Sequence, residues 1–154
     1  MTALLDRPAA ALDAPADRTS RTVRLLGTLV LAAGLLMSAA GATTWGLVQS
    51  SLAAENITVA DDAARFAGEP VDGPLTAWYQ ADIIEHHALA ASDGKTYAEL
   101  DREDPRRAVV MNGSFLRASL FTSIVSFGVA AMAMGLGLVL AAVGYSLRRL
   151  AVRA

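Results

Sequence analysis

Residues 119–147 carry no charged side chain, and this run of twenty-nine residues restricts the possible fold more than any other stretch. Arg117 lies before the run, and Arg148 and Arg149 follow it. A helix rises about 1.5 Å per residue, so roughly 20 apolar residues cross the hydrocarbon core of a bilayer. The run therefore predicts a transmembrane helix, which we place at residues 118–147.

Residues 25–48 form a second charge-free run, 24 residues long, and predict another transmembrane helix. Hydrophobic residues make up 54% of the chain and are concentrated in the two runs, as in membrane proteins. The segment between the runs, residues 49–117, is polar and acidic. We therefore expect an all-α membrane protein, a two-transmembrane-helix hairpin with a small, mostly helical extracytoplasmic domain between the spans.

A cleaved signal peptide is the alternative interpretation of the first run. Arginines precede its apolar core, and small residues follow at positions 38–42, where cleavage near Ala40 would fit. The apolar stretch is longer than the roughly 7–15 residues of a typical signal core. Its length therefore favours a retained span.

The distribution of basic residues predicts the orientation. Residues 1–24 hold four Arg and residues 148–154 hold three, whereas residues 49–116 hold twelve acidic and five basic residues. Because basic flanks stay in the cytoplasm, we expect residues 1–24 and 148–154 to lie inside a bacterial plasma membrane and residues 49–117 to lie outside it. Residues 1–24 are expected to be a disordered tail, and residues 148–154 a basic tail. The residues expected to anchor the spans at the membrane interfaces are Trp45, Tyr145, Arg117, Arg148 and Arg149.

Helix signals recur in the outer segment. A helix is predicted over residues 75–91, with Asp72 as a cap, Pro74 in its first turn and Gly94 as its stop. The next signal is a capping box, Thr96 with Glu99, which predicts a short helix beginning at Tyr97.

A further cap and first-turn pair, Asp104 and Pro105, predicts the start of a third helix. This helix is expected to run through Arg117 into the second span unless Asn112–Gly113 breaks it.

Both spans contain small residues at intervals of four. Such spacing lets helix backbones approach closely, which favours association in a bilayer, where the hydrophobic effect does not drive helices together. One such face is expected to pack within the hairpin and another against a second protein, although packing within the hairpin alone is the simpler alternative. The residues are Gly34, Ser38, Ala42 and Gly46 in the first span, and Ala133, Gly137 and Ala141 in the second, with Gly128, Ala131, Gly135 and Ala142 on a neighbouring stripe.

The densest polar cluster consists of Asp82, Glu85, His86 and His87. Asp82 and His86 stand four residues apart on one helix face, which makes them weak candidates for metal ligands, whereas His87 points about 100 degrees away. A solvated or partner-facing surface is the favoured interpretation, and pH sensing by His86 is another. We therefore expect no cofactor and no metal.

Other signatures of chemistry are missing from the sequence. The chain has no cysteine, which excludes disulfides and thiol nucleophiles. It contains no phosphate loop, nucleophile elbow or glycine-rich nucleotide fingerprint. The acidic outer segment also argues against nucleic acid as a partner.

Several stretches resemble a group of uncharacterised actinobacterial two-span membrane proteins. They are ITVADDA (57–63), DGPLTAWYQADII (72–84), GKTYAELDREDP (94–105) and SFLRASLFTSIVSFGVAAMA (114–133), and the resemblance covers roughly residues 45–147. Some members carry the label of an aromatic ring-opening dioxygenase subunit. Dioxygenases of that type are soluble iron enzymes, so the two predicted spans argue against this activity, and the resemblance assigns a role to no individual residue.

The favoured function is therefore association. We expect a non-catalytic integral membrane protein, an accessory or scaffold subunit packing on a larger membrane complex of the bacterial cell envelope. Its partners would be the lipid bilayer and other integral membrane proteins, with no small-molecule substrate. The alternative is a membrane-tethered extracytoplasmic enzyme or metal-binding domain centred on His86.

Overall fold

A computed structural model describes residues 14–153, with side chains from residue 19 to 151. Three helices make up this part of the chain: α1 (Ala14–Ala54), α2 (Pro74–Ala91) and α3 (Arg106–Arg153). Residues 14–153 contain no strand, and the isolated antiparallel bridge between Thr58 and Pro70 is too short to form one. The predicted all-α class is confirmed.

Two of the helices are long and apolar enough to cross a membrane. They are α1 over Thr19–Ala54 and α3 over Arg106–Ala151, with only 17% of the most apolar window of each buried. The core helix of a soluble domain would have most of this surface covered. The two helices suggest a membrane protein.

The start of α1 corrects the prediction of a disordered tail over residues 1–24. Residues 14–24 are helical, and residues 1–13 lie outside the described part. Once a helix has formed, each further residue adds a hydrogen bond without a new nucleation cost. The long apolar helix can therefore extend into the arginine-containing residues before it.

The second helix has the predicted extent but a different cap. Gly73, not Asp72, is the N-cap residue, and the Thr76 hydroxyl accepts a hydrogen bond from the Gly73 N–H at 3.2 Å. The helix ends at Ala91, and Gly94 follows with a φ of +79°, a conformation that favours glycine. The predicted stop is thus confirmed.

The segment between α2 and α3 is a series of turns. Both the backbone N–H and the hydroxyl of Thr96 donate to the Glu99 carboxylate at 2.8 Å, which is one half of a capping box. The Glu99 N–H donates to the Thr96 carbonyl at 3.1 Å instead of to the hydroxyl. The predicted short helix from Tyr97 is nevertheless wrong, because residues 97–99 form only a turn. Too few residues remain before α3 begins at Arg106 for a helix to repay the cost of its nucleation.

Asp104 caps α3 as predicted. Its Oδ1 accepts the Arg106 backbone N–H at 2.9 Å, and the Arg106 guanidinium bonds both carboxylate oxygens and Asp93 Oδ2 at 2.6 Å. The helix then continues without a break through Asn112 and Gly113. The break considered at these two residues does not occur.

These contacts predict a pH dependence. Hydrogen bonds from Arg106 lower the pKa of Asp104 from 3.8 to about 2. A lowered carboxyl pKa in the folded state contributes stability above pH 3.8, and this contribution is lost as the pH falls through about 2. Between pH 5 and 2 the unfolding temperature of the native protein should therefore fall more steeply than that of Asp104→Asn. Parallel curves would contradict the assignment.

The structure divides into two compact units. The first joins the described part of Met1–Ala40 to that of Met132–Ala154, and the second is Gly41–Ala131. The core of the second unit contains residues from α1, α2, α3 and the segment between α1 and α2. They are Leu52, Val59, Val71, Ala77, Ala81, Leu120 and Phe127.

Residues 55–73 form a closed loop that supplies part of this core. The Val59 N–H donates to the Glu69 carbonyl at 2.9 Å, and the Val71 N–H donates to the Ile57 carbonyl at 2.8 Å. The pairing places Val59 opposite Glu69 and Val71 opposite Ile57, and the two valines are each only 1% exposed. The side chain of Gln80 on α2 accepts the Ala60 N–H at 2.9 Å, which ties the loop to that helix.

Candidate functional site

The helix-packing residues are the best candidate for a functional surface. In the first unit, α1 and α3 approach at glycines. A Cβ added at Gly34 would lie 2.5 Å from the Gly137 carbonyl oxygen and 2.5 Å from the Ala141 nitrogen. Because no real Cβ fits at such distances, only glycine permits this backbone approach.

The close contact continues along both helices. A Cβ added at Gly27 would lie 2.9 Å from the Gly144 oxygen. The Ser38 hydroxyl donates across to the Met134 carbonyl at 3.2 Å. We call this contact the glycine seam, formed by Gly27, Gly34, Ser38, Gly137, Ala141 and Gly144.

The seam includes only part of the predicted stripes. Gly34, Ser38, Gly137 and Ala141 belong to it, and Ala133 is half-buried. Ala42, Gly46, Gly128 and Gly135 are instead exposed. Successive steps of four residues rotate about 40° round a helix, so a stripe at this spacing leaves the contact after one or two steps.

The four-residue spacing did not predict two of the seam glycines, Gly27 and Gly144. Each lies seven residues from another seam glycine, Gly27 from Gly34 and Gly144 from Gly137. A step of seven drifts by only about 20°, which keeps residues on one face over several turns. The seven-residue spacing of glycines was therefore the signal that would have found the seam.

A second small-residue face on α3 stays open. Gly128 and Gly135 are exposed, and a Cβ added at either would have no atom within 4 Å. Ala131 and Ala142 are exposed on the same stripe of α3, about 140° round the helix from the seam. We call these four residues the open face.

The proposed interface anchors occupy different environments. Trp45 is half-buried, and its ring forms an edge-to-face pair with that of Phe127, with 4.7 Å between centroids, so it packs against the core. Tyr145 is exposed, with its hydroxyl accepting a hydrogen bond from Arg149 Nε at 2.9 Å, and Arg148 is half-buried. The guanidinium of Arg117 bonds Glu85 at 2.7 Å. Their role as anchors remains a prediction.

The polar cluster on α2 does not converge on one point. His86 Nδ1 lies 3.0 Å from the backbone oxygen of Asp82 and 3.9 Å from its carboxylate. His87 Nε2 lies 2.7 Å from Asp62 Oδ2, a hydrogen bond that lowers the pKa of Asp62. Within the described residues no three His, Cys, Asp or Glu side chains are grouped to hold a metal ion.

The cavities of the second unit are small or open. One of about 60 Å³ lies beside Arg117 and Glu85, room for a few waters but not for an organic substrate. A groove of about 290 Å³ is lined by Ser119, Thr122, Ser123 and Ser126, among other residues. The hydroxyls of the last three already donate to carbonyls one turn back on α3. Neither cavity gathers a catalytic set of side chains.

Comparison with protein-family models, with curated proteins and with solved structures finds no match to this chain.

Proposed function

We propose that this chain is a non-catalytic integral protein of the bacterial plasma membrane, an accessory or scaffold subunit that packs on a larger membrane complex. Both termini lie in the cytoplasm, and residues 49–117 lie outside. Exposed leucines along the charge-free parts of α1 and α3 support membrane insertion, and Leu36 is 72% exposed. The excess of arginine at the two ends supports the orientation.

The open face is the observation that carries the association. Glycine in the middle of a helix costs up to about 1 kcal/mol relative to alanine. At Gly34 and Gly137 the seam explains this cost, but a Cβ added at Gly128 or Gly135 would have no described atom within 4 Å, so no such contact explains these glycines. A helix of another membrane protein packed on this face would use the close approach that these glycines permit.

A pull-down tests this proposal. Tagged full-length protein is recovered in mild detergent from its own membranes, beside a Gly128→Leu, Gly135→Leu double variant. We expect one large complex with the native protein and its loss with the variant, because leucine side chains would hold the partner helix away. The seam glycines are left intact, so the contact between α1 and α3 is retained.

Val129→Leu with Leu136→Met is the matched control, since both residues are more than half exposed and the changes are small. It should retain the complex. Recovery of the native protein alone, or an undiminished complex with the double glycine variant, would refute the proposal.

A further inference from the structure

The contacts between α2 and α3 establish their relative direction within the second unit. The ring of Trp78 meets that of Phe121 edge-on, with 5.5 Å between centroids. Farther along α2, Glu85 pairs with Arg117 at 2.7 Å, and a Cβ added at Gly113 would lie 3.0 Å from the Ala88 Cβ. The two helices therefore run antiparallel. Residues nearer the start of α2 lie beside residues nearer the C-terminal end of α3.

This register gives the level of the first turn of α2. Both helices rise by the same distance per residue. Because Leu75 precedes Trp78 by three residues, and Trp78 contacts Phe121, Leu75 lies level with residues 124–125 of α3. That level falls inside the charge-free run 119–147. Leu75 and Val125 are each 63% exposed, and Trp78 is 51% exposed. The start of α2 thus presents apolar side chains beside the start of the predicted span.

Polarity changes sharply along α2. Residues 74–81 carry no charge, whereas Asp82 and Glu85 follow with His86 and His87. The ion pair between Glu85 and Arg117 lies on the same charged side of this boundary. The charged side chains of both helices therefore stop at one level, as they would at the boundary between a bilayer and water.

We propose that the first two turns of α2 are immersed in the outer interface of the bilayer, where Leu75 and Trp78 contact lipid. This inference rests on the proposed membrane insertion. The occupant is lipid because the exposed Leu75 and Trp78 lie level with the start of the charge-free run, where Phe121 contacts Trp78 and Val125 is exposed. Tryptophan favours this depth, because its ring is apolar while its indole N–H remains available to headgroups.

Fluorescence of a single tryptophan tests the inference. Full-length Trp45→Phe protein, in which Trp78 is the remaining tryptophan, is reconstituted in phosphatidylcholine vesicles. Lipids brominated near the top of the acyl chain should remove most of the Trp78 emission, while aqueous iodide should leave it nearly unchanged. The reverse pattern would overturn the inference.

Two further variants separate the inference from the proposed function. Both use a background without native tryptophan, Trp45→Phe with Trp78→Phe. Leu36→Trp lies in the predicted first span and should be quenched by brominated lipid, whereas Tyr97→Trp lies in the turn before α3 and should be quenched by iodide.

If Leu36→Trp responds to lipid and Trp78 responds only to iodide, the inference fails and membrane insertion stands. If Leu36→Trp does not respond to lipid, membrane insertion fails as well. If Tyr97→Trp responds to lipid as strongly as Trp78, the assignment to the first turns of α2 is wrong.

Discussion

Gly34→Leu is expected to separate α1 from α3 at the glycine seam, so that the variant is recovered mostly as aggregate in mild detergent. A single Cβ at this position already lies 2.5 Å from two backbone atoms of α3, which cannot move aside as a flexible side chain can. Gly34→Ala should therefore lose about 1–3 kcal/mol of stability, the usual cost of overpacking. The temperature at which half of the monodisperse protein is lost on size-exclusion chromatography measures the effect.

Gly135→Ala is the matched control, because it adds the same methyl group where nothing lies within 4 Å. It should be neutral or more stable by up to about 1 kcal/mol, from helix propensity alone. Equal losses at Gly34 and Gly135 would contradict the seam.

Phe127→Ala is expected to destabilise the second unit by about 3–5 kcal/mol, the usual cost of removing a buried phenylalanine ring. Phe127 is 1% exposed and is the largest fully buried side chain of the described residues. Its ring also contacts Trp45, and aromatic pairs of this kind contribute beyond the area that they bury. In a Trp78→Phe background, the emission of Trp45 should shift when Phe127 is removed, and thermal unfolding gives the stability change.

Val125→Ala provides the comparison for Phe127. It lies two residues away on α3 and is 63% exposed, so its loss leaves no internal cavity. Its unfolding temperature should stay close to that of the native protein. A Phe127→Ala variant as stable as Val125→Ala would show that the core is not formed as described.

The helices were predictable because their signals are local. Two charge-free runs indicated α1 and α3, Asp104 and Pro105 indicated where α3 begins, and Gly94 indicated where α2 stops. These signals depend on chain length, side-chain charge and backbone conformation, which are independent of the rest of the fold. The contact between Thr96 and Glu99 was also predictable. Whether such a turn extends into a helix depends on how many residues remain before the next helix begins.

The seam was less predictable because many spacings of small residues coexist in helices rich in alanine and glycine. Gly34 and Gly137 were found by their intervals of four, and the same rule also selected the exposed Gly46 and Gly128. The sequence does not say which face of α1 meets which face of α3. That choice depends on how the two helices pack together. Residues spaced by seven stay on the contacting face over more turns than residues spaced by four.

The buried pair of Val59 and Val71 has a consequence for the order of folding. They share their core with Leu52 and with Leu120, which is 68 positions farther along the chain than Leu52. During synthesis the loop and α2 emerge before Leu120 does, so the loop cannot complete its core at that stage. The core around the two valines is therefore completed only when α3 packs on it, and a chain that stalls before residue 120 leaves both valines without that cover.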